Sequence, residues 1–277
     1  MWIDGIFSPA DAPTLPIHDQ SYLSGMGVFE TIRAASGVPL FLDAHFTRLT
    51  KSASCFDLEL PDFERVRDGI VGLLEKQRFE HARIRLTLSG EIASGGVPFR
   101  FGGKSRTTLI AFPLEMAAAR PVRLVTAPFR IDSASPLAGH KCTSYALHAL
   151  AMRHARAAGG DEALMLDHEG NLAGGASANV FWVKNGVVQT PDARCGCRDG
   201  VTRERVLRAC GQLDLRCRTT EAEPDVLDEA DEIFITSAIR GVRSVIELDG
   251  RPCKQGALAE RIRLALDLES ESEMSRR

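Results

Sequence analysis

The sequence is poor in aromatic residues and has no long apolar run. Phe, Trp and Tyr make up 6% of its 277 residues, which argues against a base-stacking surface for nucleic acid. Acidic and basic residues nearly balance, to a net charge of −3, and no basic stripe points to a nucleic-acid partner. No apolar stretch approaches the roughly 20 residues of a membrane span, and the N-terminus lacks the pattern of a signal peptide. We therefore expect neither a nucleic-acid nor a membrane partner.

The cysteines favour neither a disulfide framework nor a metal site. There are seven, an odd number scattered along the chain, which fits a reducing, cytoplasmic location. Cys195 and Cys197 form a C-x-C pair, but zinc needs two further ligands at motif spacing. Cys210 and Cys217 lie on or after a predicted helix and have no paired spacing. We expect no bound metal.

Hydrophobic periodicity in the first half predicts strands and helices in turn. The alternation in ARIRLTLSG is typical of a half-buried strand, and Asp62 is placed to cap a helix over about 62–77. The segment 91–105 is rich in Gly and Ser and is predicted to be a loop. The other predicted elements are a strand at WIDGIF, two strands around the turn at Ser36-Gly37, a helix with Phe46, Leu49, Ala53 and Phe56 on one face, and a strand at TTLIAFPL.

The second half begins with a predicted strand, VRLVTAP, followed by Lys141 and a helix over about 144–158. The Asn185-Gly186 pair between apolar runs is typical of a hairpin turn. The remaining predicted elements are strands at EALMLD and EIFITSA, a helix that opens at 200–202, a last helix over about 256–268 and a disordered end, ESESEMSRR. These groups predict an α+β N-terminal domain over residues 1–115 and a larger, mixed α/β C-terminal domain over 121–277.

Lys141 is the residue on which the functional interpretation depends. It follows a loop over 136–140 and precedes a helix. A lysine held there and partly desolvated has a lowered pKa, as a nucleophilic amine that forms a Schiff base requires. A surface lysine near a helix start has the same spacing, so position alone leaves both interpretations open.

A set of motifs spread over nearly the whole chain resembles the class IV aminotransferase family. That family comprises the fold-type IV pyridoxal phosphate enzymes, among them branched-chain and D-amino acid aminotransferases and 4-amino-4-deoxychorismate lyases. The resemblance implies a D-amino acid aminotransferase-like fold, a pyridoxal 5'-phosphate cofactor in the cleft between two lobes, and a homodimer. It rests on the motifs GVFETIR, HFTRL, LAGHK with Tyr145 four residues on, DEALMLD, SANVFWVKNGVVQTP, DGVTRERVL and ITSAIRGVRSV.

The resemblance also implies roles for individual residues. Lys141 corresponds to the catalytic lysine, which holds the cofactor as a Schiff base and later moves the α-proton of the substrate. Arg48 corresponds to an arginine that binds the cofactor phosphate, a group that a guanidinium can fork onto. The helix opening at Val201 and Thr202 corresponds to a phosphate-binding turn, which suits the positive end of a helix. Ser237 matches a second such turn, and Tyr145 a tyrosine near the phenolic oxygen of the cofactor.

The sequence departs from the family pattern at Gly174. There the family carries a glutamate, whose carboxylate pairs with the pyridine nitrogen and keeps it protonated, which makes the ring an electron sink. Glu169 is near in sequence, but nothing places it at the nitrogen. Three outcomes stay open: another group contacts the nitrogen, the chemistry needs less carbanion stabilisation, or the protein binds the cofactor and is nearly inactive.

The substrate therefore has several candidate interpretations. The first is an aminotransferase that moves the amino group of a small amino acid to a keto acid. The second is a lyase that converts aminodeoxychorismate to p-aminobenzoate and pyruvate, and the third is a cofactor-binding protein with degenerate catalysis. Arg100 or Arg106 is a candidate anchor for a substrate carboxylate.

Overall fold

The computed structural model describes residues 1–9, 11, 15–90, 104–115 and 119–275. The chain forms two compact units. Unit 1 comprises Met1–Met116, His140–Tyr145 and Glu273–Arg277, and unit 2 comprises Ala117–Gly139 and Ala146–Ser272. Among the described residues, no helix has the length and apolar character needed to cross a bilayer.

Unit 1 is built on a six-stranded antiparallel sheet with the strand order β2-β1-β6-β5-β3-β4. Helices α2 and α3 pack on β3 and β6, and the side chains that alternate along β5 toward them are fully buried, as the sequence pattern predicts. The strands are β1 (Trp2–Ile3), β2 (Ile6–Phe7), β3 (Gly27–Ala35), β4 (Val38–Pro39), β5 (Ala82–Ser89) and β6 (Arg106–Pro113), and the helices are α1 (Gln20–Ser24), α2 (Leu42–Ala53) and α3 (Phe63–Gln77).

Helix α3 shows why the local sequence folds as predicted. The Asp62 side chain accepts a hydrogen bond from the backbone N–H of Arg65 at 2.8 Å and so caps the helix. Val66 and Ile70, on one face, are fully buried, and Arg78 ends the helix in the left-handed region with φ 54°. The first predicted strand instead forms two short strands, because the chain turns at Asp4-Gly5 and β1 pairs with β2.

The segment that carries Lys141 belongs to unit 1, whereas the sequence placed it in the C-terminal domain. The physical reason is backbone pairing with β3. The N–H of Phe29 donates to the carbonyl of Lys141 at 2.9 Å, and the N–H of Thr143 donates to the carbonyl of Gly27 at 2.7 Å. Val28 and Cys142 form the β-bridge between them. The chain thus returns to the start of β3 before the next helix begins.

Unit 2 is built on a nine-stranded mixed sheet, with the order β12-β11-β10-β13-β14-β7-β8-β9 and β15 paired to β14. The pairs β11-β12, β14-β7 and β7-β8 are parallel, and the others are antiparallel. The strands are β7 (Val122–Ile131), β8 (Glu162–Asp167), β9 (Leu172–Gly175), β10 (Asn179–Lys184), β11 (Val187–Pro191), β12 (Arg216–Thr220), β13 (Glu232–Ser237), β14 (Gly241–Leu248) and β15 (Arg251–Pro252).

Three helices, α4 (Ala146–Ala157), α5 (Val201–Gln212) and α6 (Leu258–Met274), complete unit 2. The predicted hairpin at Asn185-Gly186 is confirmed, with both residues at positive φ, 51° and 70°. The prediction of a disordered end is wrong for residues 269–274, because α6 continues to Met274. The Arg205 side chain donates to Glu269 at 2.8 Å and to the carbonyl of Leu266 at 2.7 Å, which attaches this part of the helix to α5.

Candidate functional site

Lys141 lies against two aromatic rings in unit 1. Its Nζ is 4.2 Å from the centroid of the Phe29 ring and 5.6 Å from that of Tyr145. The two rings meet edge to face, with centroids 5.3 Å apart and an interplanar angle of 82°. The backbone N–H of Lys141 donates to Ser52 Oγ at 3.3 Å. The structure therefore brings two of the predicted residues, Lys141 and Tyr145, together around Phe29, which the sequence analysis missed.

Arg48 is held by a buried carboxylate next to Phe29 in β3. Its Nε donates to Glu30 Oε1 at 2.7 Å and its Nη2 to Glu30 Oε2 at 2.5 Å, a bidentate pair. Glu30 is fully buried and also accepts from His45 Nδ1 at 2.8 Å. Glu30 thus fixes the orientation of the Arg48 guanidinium. The assignment of Arg48 to a cofactor phosphate stays a prediction.

Glu30, His45 and Arg48 form a cluster that we call the Glu30 cluster. The pKa values of Glu30 and His45 are both lowered in it. Burial raises the pKa of Glu30, but the charge and hydrogen bonds of Arg48, with those of His45, outweigh burial and bring this pKa to about 2. Burial lowers the pKa of His45 below its ordinary 6.5; the charges of Arg48 and Lys141 lower it further, and Glu30 opposes them. The cluster therefore holds an ionised Glu30 and a neutral His45 at pH 7.

The face of the unit 1 sheet that bears Phe29 is lined with arginines. Arg33 and Arg83 are direct partners across β3 and β5, and Thr31 is the partner of Arg85. The Arg85 guanidinium lies 3.8 Å from the Phe29 ring centroid. Burial lowers the pKa of Arg85, and the charge of Arg83 adds to this effect. The alternation of arginine and apolar residues in ARIRLTLSG predicts the strand, and it also carries the signal for this arginine-lined face.

Arg100 and Arg106 are the two predicted candidate anchors for a substrate carboxylate. Arg100 lies outside the described residues. Arg106 Nε is 3.5 Å from the Asp4 carboxylate, and both residues line a cavity of about 530 Å³ in unit 1 with Trp2 and Arg65. Arg106 is thus already paired with an acid, which makes it a weaker carboxylate anchor than Arg85.

In unit 2, helix α5 opens at Gly200 without a side-chain cap. Gly200 is the N-cap residue, and it has no side chain to accept a hydrogen bond from the first turn. A Cβ atom at this position would overlap Asn179 Oδ1, so a larger residue would require the Asn179 side chain to move. Val201 and Thr202 follow and are buried. The opening therefore presents backbone N–H groups and the positive end of the helix dipole, which suit an anion.

Ser237 is the last residue of β13 and lies at a turn. The hydroxyls of Ser237 and its neighbour Thr236 have hydrogen-bonding capacity that the described residues do not fill. The backbone N–H of Arg240 donates to Ser237 Oγ at 3.2 Å, so the hydroxyl proton is left to donate elsewhere. The neighbouring Thr236 Oγ1 is buried and has no hydrogen-bond partner among the described residues. The Ser237 hydroxyl is therefore left with a proton to donate to a ligand.

Gly174 lies in β9, opposite Met165 of β8, with φ 140°. L side chains rarely adopt such a conformation, so the local backbone suits the glycine that stands there. Glu169 belongs to the turn before β9, where its N–H donates to Asp167 at 3.0 Å. A buried carboxylate that the sequence analysis missed, Glu162, packs beside the next residue: a Cβ on Gly175 would lie 3.3 Å from Glu162 Cγ.

No group of three or more potential metal ligands occurs in the part of the chain that the structure describes. Cys195, Cys197 and Cys210 are buried free thiols. Burial raises the pKa of Cys195 to about 11, and nearby acids, Asp167 first, add to it, so this thiol stays protonated at pH 7.

Comparison with known proteins gives a consistent result. Residues 27–248 match the family model described as amino-transferase class IV. A putative branched-chain-amino-acid aminotransferase of Methanocaldococcus jannaschii is 32% identical over 257 residues, which cover 91% of this chain and 88% of that protein. An aminodeoxychorismate lyase of Bacillus subtilis (strain 168) is 28% identical over 250 residues, 86% of this chain and 83% of the lyase.

Solved structures show the same fold. The crystal structure of a branched-chain aminotransferase from the archaeon Thermoproteus uzoniensis with norvaline has a TM-score of 0.90 and 27% identity. The match covers 98% of this chain and 94% of the other. The expected two-part, mixed α and β fold is thereby confirmed.

Proposed function

The chain belongs to the class IV amino-transferase family, and from this membership we propose that it is a pyridoxal phosphate-dependent enzyme that moves the amino group of a small amino acid to a keto acid. The observation that carries the proposal is the Lys141 amine, placed 4.2 Å from the centroid of the Phe29 ring and near Tyr145. An amine beside flat aromatic surfaces suits the condensation with a pyridine aldehyde.

The side chains present fit the parts of this cofactor. The uncapped start of α5, with Val201 and Thr202, and the hydroxyl of Ser237 are donors for a phosphate. Arg48, whose guanidinium is held in place by Glu30, is proposed as a further phosphate ligand. The Tyr145 phenol is a partner for the phenolic oxygen. When bound, the cofactor withdraws electrons from the α-carbon of the amino acid, so that the α-proton becomes acidic.

Each residue then has a definite task. Lys141 would hold the aldehyde carbon of the cofactor, with loss of one water, and its Nζ, once freed by the amino acid, would take the α-proton and deliver it again. The Phe29 ring fixes the lysine side chain on one side. His45 and Arg48 remain on Glu30, and the charge of this cluster does not change around pH 7.

Arg85 is proposed to bind a substrate carboxylate. It lies on the same Phe29 ring as Lys141, and its hydrogen-bond partner there is Thr87 Oγ1 at 3.2 Å, a neutral group. Within the described residues, no carboxylate forms an ion pair with Arg85. A guanidinium that is half-buried without an acid suits a carboxylate from the substrate.

A second candidate is the conversion of aminodeoxychorismate to p-aminobenzoate and pyruvate, favoured by the similarity to the Bacillus subtilis lyase. It would use the same lysine. The absence of a carboxylate at Gly174 favours a third candidate, a protein that binds the cofactor with little turnover. We also propose a homodimer located in the cytoplasm, which light scattering and cell fractionation test.

The proposal is tested with the purified protein and the variant Lys141→Ala. We expect a visible absorption band with pyridoxal phosphate, which amino donors shift in the wild type. Lys141→Ala loses the band, while the matched control Lys51→Ala keeps it. Transfer of the amino group to 2-oxoglutarate identifies the aminotransferase. Release of pyruvate from aminodeoxychorismate identifies the lyase. An absorption band without either reaction identifies the cofactor-binding protein. A band that persists in Lys141→Ala contradicts the assignment of the lysine.

A further inference from the structure

An ion pair between a half-buried arginine and a buried glutamate joins three segments of the chain in unit 2. Glu162, the first residue of β8, has no exposed surface, and Arg240 donates from Nη2 to its carboxylate. Ser177, in the connection between β9 and β10, donates to the same carboxylate from Oγ at 2.5 Å and from its N–H at 3.0 Å. Arg240 Nη2 also donates to Ser177 Oγ at 2.8 Å. We call the set of Glu162, Ser177 and Arg240 the Glu162 clamp.

The clamp leaves Arg240 little freedom. A fully buried carboxylate is costly unless donors satisfy it, and besides the donors of Ser177 and Arg240 the Glu162 carboxylate accepts from the backbone N–H of Ala163 at 3.2 Å. The Arg240 side chain is 30% exposed, so it reaches the carboxylate from the protein surface. Moving the Arg240 side chain away would leave the buried Glu162 carboxylate without the positive charge that balances it.

Arg240 also stands in the turn that Ser237 begins. Its backbone N–H donates to Ser237 Oγ at 3.2 Å, and Ser237 pairs with Gly241 across the hairpin of β13 and β14. The hydroxyl that accepts this bond keeps its own proton for another acceptor. The side chain of Arg240 thus fixes the backbone group that orients the Ser237 hydroxyl.

We propose that Arg240, fixed by Glu162 and Ser177, is a positioning residue that aims the Ser237 hydroxyl at the phosphate of the cofactor. The proposal rests on the proposed function, in which Ser237 binds that phosphate. Arg240 acts through Ser237 and touches neither the cofactor nor the substrate. Its removal therefore weakens recognition of the phosphate and leaves recognition of the pyridine ring unchanged.

The test compares two ligands that differ only in the phosphate, pyridoxal 5'-phosphate and pyridoxal. Their dissociation constants are measured by absorption titration of the purified full chain. Ser237→Ala removes one hydrogen bond to an anion, so we expect about tenfold weaker binding of pyridoxal phosphate and less than about twofold change for pyridoxal. Arg240→Met gives the same selective loss. Arg251→Met is the matched control, because Arg251 is 80% exposed, and it leaves both constants unchanged.

A double-variant cycle separates positioning from general destabilisation. If Arg240 acts through Ser237, the pair Arg240→Met/Ser237→Ala binds pyridoxal phosphate no more weakly than either single variant. Additive losses, or an equal loss for both ligands, overturn the proposal. If Arg240→Met does not fold, Ser177→Ala replaces it in the cycle, since it removes one of the two acceptors that hold Arg240 Nη2 and leaves the charges in place.

The outcome also distinguishes this proposal from the proposed function. If Ser237→Ala lowers the affinity for pyridoxal phosphate selectively and neither Arg240→Met nor Ser177→Ala does so, the clamp has no positioning role and the phosphate site stands. If the wild type binds pyridoxal and pyridoxal phosphate equally, the phosphate site itself is wrong, and the positioning proposal falls with it.

Discussion

At the scale of single residues, the backbone conformation at position 174 favours glycine, whereas the chemistry of the cofactor favours a carboxylate there. The chemistry of a pyridine electron sink favours a carboxylate near the ring nitrogen. The backbone of Gly174, with φ 140°, favours glycine. Its nearest neighbour in the direction of a Cβ is the carbonyl of Ala178, 3.5 Å away, so space is available and the conformation is the obstacle. Any side chain introduced there carries a conformational cost.

The substitution Gly174→Glu separates these two effects when Gly174→Ala is its control. Both variants carry the backbone cost, about 1–3 kcal/mol of unfolding free energy, which urea titration measures. We expect Gly174→Glu to transaminate faster than Gly174→Ala, because the added carboxylate strengthens the electron sink. Equal kcat values in the two variants, with cofactor bound, would refute the electron-sink argument.

The roles of Lys141 and Tyr145, whose side chains the structure brings onto one aromatic ring, stay predictions of the sequence motifs. The motifs were insufficient for the groups that hold the candidate site residues in place. Glu162 and Arg240 are 78 positions apart in the chain, and neither has a local pattern that identifies the other. Glu30, 18 positions before Arg48, was inside a recognised motif, but a strand glutamate and a helix arginine have no spacing that predicts their contact.

At the scale of secondary structure, β5 presents two faces with different roles. Ile84 and Leu86, on one face, are fully buried in the core of unit 1. Arg83 and Arg85 point to the opposite face, because successive side chains of a strand alternate. Arg83 lies over the Phe112 ring and Arg85 over the Phe29 ring. One strand therefore supports the core and supplies a cation to the ring that Lys141 contacts.

Arg85→Gln tests whether that cation binds the carboxylate of the substrate. Loss of one charge-assisted hydrogen bond pair is worth about 1.5–3 kcal/mol, so we expect KM for the amino acid to rise about tenfold or more. The absorption band of the cofactor persists, since Lys141 is unchanged. Arg83→Gln, two residues along the same face, is the matched control and leaves KM within about twofold. An equal rise of KM in both variants would point to general loss of charge and contradict a specific role of Arg85.

Local sequence signals correctly predicted a helix start and a hairpin turn. They did not predict features that depend on contacts between residues far apart in the chain. Asp62 at the start of α3 and Asn185-Gly186 between β10 and β11 are local signals, and both predictions are confirmed. The end of α6 was predicted to be disordered because its sequence is polar, yet hydrogen bonds from Arg205 hold it. The placement of Lys141 beside β3 depends on backbone pairing across more than a hundred residues, which no local pattern encodes.

At the scale of the whole molecule, each unit carries one tryptophan. Trp2 is buried in unit 1, and Trp182 in unit 2. The sequence contains no other tryptophan. Fluorescence of a Trp182→Phe variant therefore reports the unfolding of unit 1 alone, and that of a Trp2→Phe variant reports unit 2. Stability effects of single residues can then be assigned to a unit.

The Glu30 cluster predicts an acid-dependent stability of unit 1. The pKa of Glu30 is about 2 in the folded chain and 4.5 in the unfolded reference. A lowered pKa contributes stability that is fully present above pH 4.5 and is lost as pH falls toward 2. The shift corresponds to about 3 kcal/mol. Glu30→Gln has no such titration, so its stability deficit relative to the wild type shrinks by about that amount between about pH 5 and pH 2.

Urea unfolding of unit 1, followed by Trp2 fluorescence in the Trp182→Phe background, measures this deficit at several pH values. Glu64→Gln is the matched control, because the Glu64 side chain is 55% exposed and its ion pair with Arg67 lies at the surface, where such pairs contribute little. Its deficit stays near zero at every pH. A Glu30→Gln deficit that does not change over the acid range would contradict the lowered pKa of Glu30. The pairing with Arg48 and His45 would then not be the source of the acid sensitivity of unit 1.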